Sequence, residues 1–435
     1  MLGPSTAAPQ SFSRTVPRRR RARPAPWVLA GILALTGCRG SGDLRETLML
    51  GGEYDTSGVV IVERRAVPQD LPVWAIEDSP EVRIGRVSGQ GADVFGSIAA
   101  VAATSTGDIV VADLRPVGVL QFDRAGELRF RAARSGEGPG EFRSVASLMV
   151  TPGDSLIVLE RAPPRAVLFD PQGAHIRTTP LSSDDAERHG AIAYRGILDN
   201  GTIVATRAVR SGSIINRDHR RFLNQLTYLD PVGATVLRGS SFFDPVLFSE
   251  RVTIPQPNGP VSAVVMRTPP IAGRAVYAVR GAHVAVGVQG RGEILVHDTV
   301  GNVVRILRPP GWGILTDRDR YLRHAAASAT SSSGATLGES PEVTASHLPD
   351  TLPGFERIML DAVGRLWVEE YVPEYEIREA SWWVFDSGGQ FVARTQFPSG
   401  FVPHQIEANE VIGVTRDEAD VPFVERRRIV RSSPP

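Results

Sequence analysis

Histidine is the residue type in this sequence best suited to bind a catalytic metal or to transfer protons near neutral pH. His404 begins a run with the pattern of an inner β-strand, and His189 lies just before another such run. Because a catalytic zinc site needs three protein ligands, two candidates do not predict one. We therefore expect no metal, no other cofactor and no catalytic residue, and keep His189 and His404 as candidate ligand-binding residues. The remaining histidines fall in turns, outer strands or inserted segments: His175, His219, His283, His297, His324 and His347.

Arginine is concentrated in residues 207–221, where the side chains could act together. Guanidinium groups bind phosphates and carboxylates through paired donors, and such a loop could also hold a glycan. A solvated charged loop without a ligand is the alternative interpretation. The candidate ligand-binding residues are Arg207, Arg217, Arg220 and Arg221.

Aromatic side chains cluster further along the chain, where they could stack on sugar rings or on a peptide. Trp382 and Trp383 are adjacent in a predicted strand, so their side chains must point to opposite faces of it. Tyr371 and Tyr375 precede them. Packing between neighbouring sheets is the alternative role for this group.

Five short stretches contain an Asp followed three residues later by a Gly. An aspartate at the start of a tight turn accepts hydrogen bonds from backbone N–H groups two residues on, and a glycine at its end adopts the positive φ that closes the hairpin. The stretches lie far apart in the chain, so we interpret them as hairpin turns rather than as metal ligands. The pairs are Asp123 and Gly126, Asp170 and Gly173, Asp230 and Gly233, Asp298 and Gly301, and Asp386 and Gly389.

Strand patterns surround these turns and repeat six times. Each repeat has a turn residue followed by a β-branched run, as in GDIVVAD at 107–113 and GDSLIVLE at 153–160, with another short apolar strand before it. Such near-continuous apolar runs are typical of strands buried on both faces. Four antiparallel strands in up-and-down order form one blade of a β-propeller. The sequence therefore predicts an all-β fold, a six-bladed β-propeller over residues 58–431.

The last repeat lacks its outer strand, because the chain ends soon after the third strand of that repeat. A propeller that stopped there would expose an unpaired strand edge. The spare strand-like segment Glu81–Val87 has no partner before it in the chain. We predict that this N-terminal strand pairs beside Phe423–Val430 and closes the ring.

The only cysteine of the chain, Cys38, follows an arginine-rich segment and the apolar run Trp27–Gly37. That run is shorter than the roughly 20 residues that span a bilayer, and it fits the apolar core of a signal peptide. Leu35–Cys38 resembles the bacterial lipobox, in which a lipid is attached to the cysteine and the chain is cut before it. The resemblance implies a lipoprotein signal peptide at 1–37, a flexible tether at 38–57 and an extracytoplasmic protein, periplasmic or at the cell surface, whose membrane partner is bound through lipidated Cys38. An ordinary signal peptide and an uncleaved anchor are the alternatives.

Composition excludes several classes of protein. The chain carries 48 Lys and Arg against 48 Asp and Glu, and 42% of its residues are hydrophobic, which is typical of a soluble globular chain. Without a basic excess we expect no nucleic acid partner. A single cysteine allows no intramolecular disulfide. Motifs such as H-E-x-x-H, G-x-S-x-G and the Walker loop are absent.

The segment RSGEGPGEF, residues 134–142, follows the first repeat. With it the chain resembles the bacterial six-bladed β-propeller lipoproteins related to NHL-repeat proteins, in which a short G-x-G-P-G-E-F linker leads from one blade to the next. The closing VIGVTRDEADVPFVERRRI, residues 411–429, is similar to the last blade of that family. The resemblance implies the fold but no activity, since many members have no assigned function. The linker residues that match are Gly136, Gly138, Pro139, Gly140, Glu141 and Phe142.

Residues 311–352 form an insertion between the fourth and fifth repeats. Arg, Leu and Ala follow a plausible helix cap, Thr316 or Asp317, which predicts a short helix before a Ser- and Gly-rich stretch. The insertion is either a lid or arm near one face of the ring, or a solvated segment with no role.

The sequence thus favours a membrane-tethered, monomeric binding or scaffold module whose partner is an unknown protein, peptide or glycan. The alternative is a metal-dependent hydrolase or lyase with its site at the mouth of the central channel. That alternative requires three or more His, Asp or Glu side chains to converge at the channel mouth.

Overall fold

A computed structural model gives the structure of the chain over residues 52–431, with gaps. The gaps fall at residues 90, 162–163, 181–191, 217–218, 232, 244–246, 255–258, 268–270, 272 and 332–347. Cys38, with the predicted signal peptide and most of the predicted tether, lies outside the described residues.

Four short strands precede the blades. They are β1 (Glu53–Thr56), β2 (Val59–Glu63), β3 (Trp74–Ile76) and β4 (Val82–Ile84). Strand β1 falls inside the predicted tether, residues 38–57, so the end of that segment is ordered by pairing with β2. The sequence did not show this, because all four residues of β1 are exposed and carry no apolar pattern.

Each blade that follows is a meander of antiparallel strands running from the inner to the outer edge. Blade 1 contains β5 (Ile98–Ala103), β6 (Ile109–Leu114), β7 (Val117–Phe122) and β8 (Leu128–Arg134). Blade 2 contains β9 (Ser147–Val150), β10 (Leu156–Arg161), β11 (Pro164–Phe169) and β12 (His175–Pro180). Blade 3 contains β13 (Ile192–Ile197), β14 (Ile203–Asn216), β15 (His219–Leu229) and β16 (Thr235–Phe243), with the added hairpin β17 (Leu247–Ile254) and β18 (Val261–Arg267).

The second half of the ring repeats this plan. Blade 4 contains β19 (Ala275–Arg280), β20 (His283–Val288), β21 (Glu293–His297) and β22 (Val303–Arg308). Blade 5 contains β23 (Ile358–Leu360), β24 (Leu366–Glu369), β25 (Trp382–Phe385) and β26 (Phe391–Thr395). Blade 6 contains β27 (Val402–Ile406), β28 (Glu410–Arg416) and β29 (Pro422–Arg431).

The inner strands form a closed circle, in which β5 contacts β9, β9 contacts β13, and so on through β19, β23 and β27 back to β5. Between each pair of neighbouring blades lies one cluster of buried apolar side chains, six clusters in all. The predicted six-bladed β-propeller is therefore confirmed.

N-terminal strands complete blade 6, as predicted. Strand β4 pairs antiparallel with β29, with Val82 opposite Arg426 and Ile84 opposite Val424. Strand β3 pairs with the end of β29. An added contact was not predicted: β2 runs parallel to β22 and extends the outer edge of blade 4.

The ring has two faces with different connections. One, here named the turn face, carries the turns between first and second strands and between third and fourth strands. The other, the loop face, carries the second-to-third-strand connections and the links between blades. On the turn face, Asp123 Oδ1 accepts hydrogen bonds from the backbone N–H of Ala125 and Glu127, both at 2.9 Å, and Gly126 closes the turn with φ +88°. The equivalent aspartates at 170, 230, 298 and 386 also accept backbone N–H groups.

Helix α1 (Arg318–Ser331) lies in the insertion on the loop face, as predicted. Asp317 caps it by accepting the backbone N–H of Arg320 at 2.9 Å. Tyr321 packs with Ile271 and Leu348, which attaches the helix to the ring. Among the described residues, no helix has both the length and the apolar character needed to cross a membrane.

Candidate ligand-binding channel

The inner strands of all six blades line one central cavity of about 510 Å³. Its lining reaches the first turns of five blades, through residues such as Ser105, Asp154, Asp199, Gly281 and Glu407. The cavity therefore belongs to the turn-face half of the channel. Its volume is within the range typical of small-molecule sites, roughly 300–1,000 Å³.

A polar network crosses the channel between blades 4 and 6. Arg280 donates hydrogen bonds to Glu407 Oε1 at 2.6 Å and to the carbonyl oxygen of Ile406 at 2.7 Å. Gln405 donates to the same Glu407 oxygen at 2.6 Å and accepts the backbone N–H of Ala103 at 2.9 Å. These hydrogen bonds link blades 1, 4 and 6, and the polar side chains that form them line the cavity.

Arg195, on inner strand β13, supplies a second cation to the cavity. Its guanidinium lies over the ring of Tyr277 in blade 4, 4.0 Å from the ring centroid, and its Nε donates to Thr206 at 3.0 Å. This stack fixes the direction of the guanidinium. An oriented guanidinium beside an aromatic ring is suited to a carboxylate or to the polar face of a sugar.

His404 lines the same cavity from inner strand β27. Burial, with an added contribution from nearby Arg357, lowers the pKa of His404 to about 4. The imidazole is therefore neutral at pH 7 and offers one donor and one acceptor. The predicted position of His404 on an inner strand agrees with the structure.

Acidic groups balance the two arginines of the cavity. Glu407, Asp154 and Asp199 all contribute to the lining, and Asp154 accepts the backbone N–H of Ser105 at 2.7 Å. Over the residues that the structure describes, no three His, Cys, Asp or Glu side chains come close enough together to hold a metal ion. The channel is thus a mixed-charge, hydrogen-bonding site.

Arg207 was predicted to lie in a charged loop, and this is wrong. The side chain is only 2% exposed and belongs to the long strand β14. It stands six residues after Gly201, just as Glu160 stands six residues after Asp154 and Asp113 after Gly107. At those two positions the carboxylate holds the linker that enters its own blade: Asp113 accepts the N–H groups of Gly96 and Ser97, and Glu160 those of Arg143 and Ser144. Arg207 thus occupies in blade 3 the strand position that Asp113 and Glu160 occupy in blades 1 and 2.

The remaining arginine candidates lie further along the same hairpin. Strand register places Arg207 opposite Gln225 and Arg221 opposite Ser213. The register is irregular between Val209 and Ser213, and on β15 the partner position Gln225 stands four residues from Arg221, about 13 Å along the strand. Arg217 and His189 lie outside the described residues, as do the side chains of Arg220 and Arg221.

The aromatic group forms packing contacts rather than an open stacking surface. Trp382 belongs to the cluster between blades 5 and 6, and Trp383 to the cluster between blades 4 and 5. Tyr371 and Tyr375 pack under helix α1, where the Arg320 guanidinium lies 4.4 Å from the Tyr375 ring centroid. Burial, with the nearby carboxylates of Glu356 and Glu374, raises the pKa of Tyr371.

The charged channel residues Arg195, Arg280 and Glu407 were among those missed at the level of sequence. Each lies in or directly after a short apolar segment that the sequence identifies as an inner strand, such as AIAYRGIL and AVYAVR. A charged residue inside such a segment is the signal that could have found them, because inner strands of a propeller line the channel.

Comparison with known proteins gives only distant matches. No family model and no curated protein matches the sequence. Among solved structures, a member of the DUF4221 family from Bacteroides vulgatus is 11% identical, with 84% of this chain and 100% of that chain covered and a TM-score of 0.46. A virginiamycin B lyase from Staphylococcus aureus is 10% identical, with 77% and 94% covered and a TM-score of 0.37.

A third solved structure, the calcium-binding protein regucalcin from Agrobacterium tumefaciens, is 11% identical, with 84% of this chain and 98% of that chain covered and a TM-score of 0.37. At these identities and scores the similarity supports no statement about function. The function must be argued from the channel itself.

Proposed function

We propose that this protein is a membrane-tethered, extracytoplasmic binding module that takes a short peptide or a glycan segment into the central channel. The observation that carries the proposal is the convergence of Arg195, Arg280, His404 and Glu407, from blades 3, 4 and 6, on one cavity of about 510 Å³. Such a mixture suits a ligand that carries both hydrogen-bond donors and hydrogen-bond acceptors, as peptides and sugars do.

Tethering through Cys38 completes the proposed role. A lipid on the only cysteine would hold the ring at a membrane surface, where its channel meets extracytoplasmic ligands. The test is replacement of Cys38 by Ser. We expect the protein to move from the membrane fraction to the soluble fraction, and unchanged fractionation would contradict the anchor.

Binding is tested by the thermal shift and by calorimetry of the purified protein against short peptides and oligosaccharides. Arg195→Met should reduce affinity for a ligand found this way by about tenfold or more, because it removes charge-assisted hydrogen bonds. Arg177→Met is the matched control, since Arg177 is exposed on outer strand β12, away from the channel. Equal loss of affinity in both variants, or no loss in either, would contradict a channel site.

His404 is the only histidine that lines the described cavity, and among the described residues no group of three His, Cys, Asp or Glu side chains is placed to hold a metal ion.

A further inference from the structure

The N-terminal segment meets the ring at one defined corner. Strand β2 runs parallel to β22, with Glu63 opposite Arg308 at the loop-face end of blade 4. Gly52, the first described residue, accepts the backbone N–H of Glu63 at 2.8 Å. Gly52 therefore lies at the outer edge of blade 4 on the loop face.

Exposed apolar side chains lie at this same corner. Trp312, Ile314 and Leu315 are 41%, 53% and 76% exposed, and Tyr54 on β1 is 44% exposed. The Arg308 guanidinium joins them, since it donates to the Tyr54 hydroxyl at 2.9 Å and lies 5.1 Å from the Trp312 ring centroid. We name the four exposed residues Tyr54, Trp312, Ile314 and Leu315 the rim patch.

The rim patch is held in its exposed position by backbone contacts. Leu352 donates its N–H to the carbonyl oxygen of Ile314 at 2.9 Å, and Leu315 forms a bridge with Thr351. Trp312 packs on Gly292, where an added Cβ would come within 2.3 Å of the indole. A loop fixed in this way presents its apolar side chains to the surroundings rather than folding them inward.

Several charges at this corner form ion pairs, while Arg291, beside Gly292, is exposed. Arg308 contacts Glu63 at 2.5 Å and Glu293 at 2.8 Å, and Arg318 contacts Asp350 at 2.5 Å. Hydrogen bonds from Arg308 and Tyr54 outweigh the effect of burial and lower the pKa of Glu63, so this carboxylate stays ionised.

We propose that the rim patch inserts into the interfacial layer of a lipid bilayer and orients the ring with its loop face toward the membrane. The inference rests on the proposed anchor at Cys38. Fourteen residue steps separate Cys38 from Gly52, which span at most about 50 Å, so an anchored chain keeps this corner near the lipid. Trp and Tyr favour the membrane interface, and Leu and Ile favour the boundary with the acyl chains.

A bilayer fits the patch better than a protein partner does, because an anchored protein meets lipid at a high effective concentration at all times. The lipid on Cys38 would supply the attachment, and the patch would fix the orientation of the ring. The consequence for the proposed function is a channel cavity that opens on the side away from the membrane.

The test uses the full-length lipidated protein in phosphatidylcholine vesicles. Leu315→Cys carries the only free thiol once Cys38 is lipidated, so an environment-sensitive fluorophore labels one site. Val300→Cys is the matched control, since Val300 is 59% exposed on the turn face of the same blade. We expect a blue-shifted emission and quenching by spin-labelled lipid at position 315, and solvent-like emission at position 300.

Three outcomes contradict the proposal, and they are distinguishable. Protein that does not float with the vesicles contradicts the anchor, and with it the patch. Protein that floats but gives solvent-like emission at position 315 contradicts the patch alone. A blue shift that persists in detergent without vesicles identifies a protein contact instead of lipid.

A second pair of variants tests the same proposal without a fluorophore, by the rate of release from vesicles. Leu315→Asp should release the protein from vesicles about tenfold faster, because it removes apolar area from the interface. Val300→Asp should leave the release rate unchanged. Equal rates for the two variants would overturn the proposal.

Discussion

On the turn face, blade 4 reverses direction within five residues, from Asp298 to Asn302, whereas on the loop face the chain needs residues 309–357 to pass from blade 4 to blade 5. The turn is stabilised by its own aspartate and by Gly301 at φ +80°. The long connection depends on Tyr321, Tyr371 and Leu348, which lie far apart in the chain. The turn-face hairpin of blade 4 thus depends on neighbouring residues, whereas the loop-face connection to blade 5 depends on residues far apart in the chain.

The two faces should differ most in the loss of unfolding free energy when one arginine side chain is removed from each. Arg426 is 1% exposed and donates to the carbonyl oxygens of Arg124 and Gly107 in two turn-face turns of blade 1. Arg426→Ala leaves these buried carbonyls unpaired and should reduce the free energy of unfolding by about 3 kcal/mol. Denaturant unfolding measures the change.

The matched loop-face variant is Arg318→Ala. Its ion pair with Asp350 is exposed, so the loss should be below about 1 kcal/mol. Similar losses for the two arginines would remove the contrast between the faces.

The channel between the two faces should respond to pH. The pKa of His404 is lowered to about 4 in the folded protein, whereas an unfolded histidine titrates near 6.5, so the unfolded chain binds the proton first. Stability from this group is complete above about pH 6.5 and is lost as the pH falls toward 4, by about 3 kcal/mol. Unfolding of the wild type and of His404→Gln at pH 7 and pH 4.5 measures it.

His404→Gln should lose less stability than the wild type over this interval. It should not become independent of pH, because burial also lowers the pKa of His297. A wild type with the same stability at pH 7 and pH 4.5 would contradict a buried, neutral His404.

A smaller effect is expected for single turn residues. Asp298→Ala removes the acceptor for the N–H groups of Val300 and Asn302, and should cost about 1 kcal/mol. Asp350→Ala on the loop face removes one exposed ion pair and should cost less than about 0.5 kcal/mol. The melting temperatures of both variants measure these losses. A larger loss for Asp350→Ala than for Asp298→Ala would contradict the expected difference between the two faces.

The same contrast explains what the sequence could predict. The aspartate turns, the six second strands and the helix cap at Asp317 depend on neighbouring residues, so their patterns are visible in the sequence. The turn at Asp417 was missed because Asp420, with φ +62°, takes the place of the expected glycine. The closing strand was found because an open edge of a sheet requires a partner.

Channel residues and long connections were less predictable, because their positions depend on the whole ring. Arg207 looked like a loop residue, since the sequence did not show that β14 and β15 continue past the ring as a long hairpin. Arg280 and Glu407 are 127 residues apart and meet only once blade 6 is in place. Nothing in the pattern of β1 indicated that it would pair at the edge of blade 4.

Closure of the ring by the N-terminal strands is the claim on which both the channel and the rim patch depend. Hydrogen exchange measured by mass spectrometry tests it directly, because Glu77 and Glu81 donate their amide N–H groups to the carbonyl oxygens of Arg428 and Arg426. Peptides covering residues 74–84 should exchange as slowly as those covering 422–431. Fast exchange in 74–84 beside slow exchange in 422–431 would contradict the closed ring.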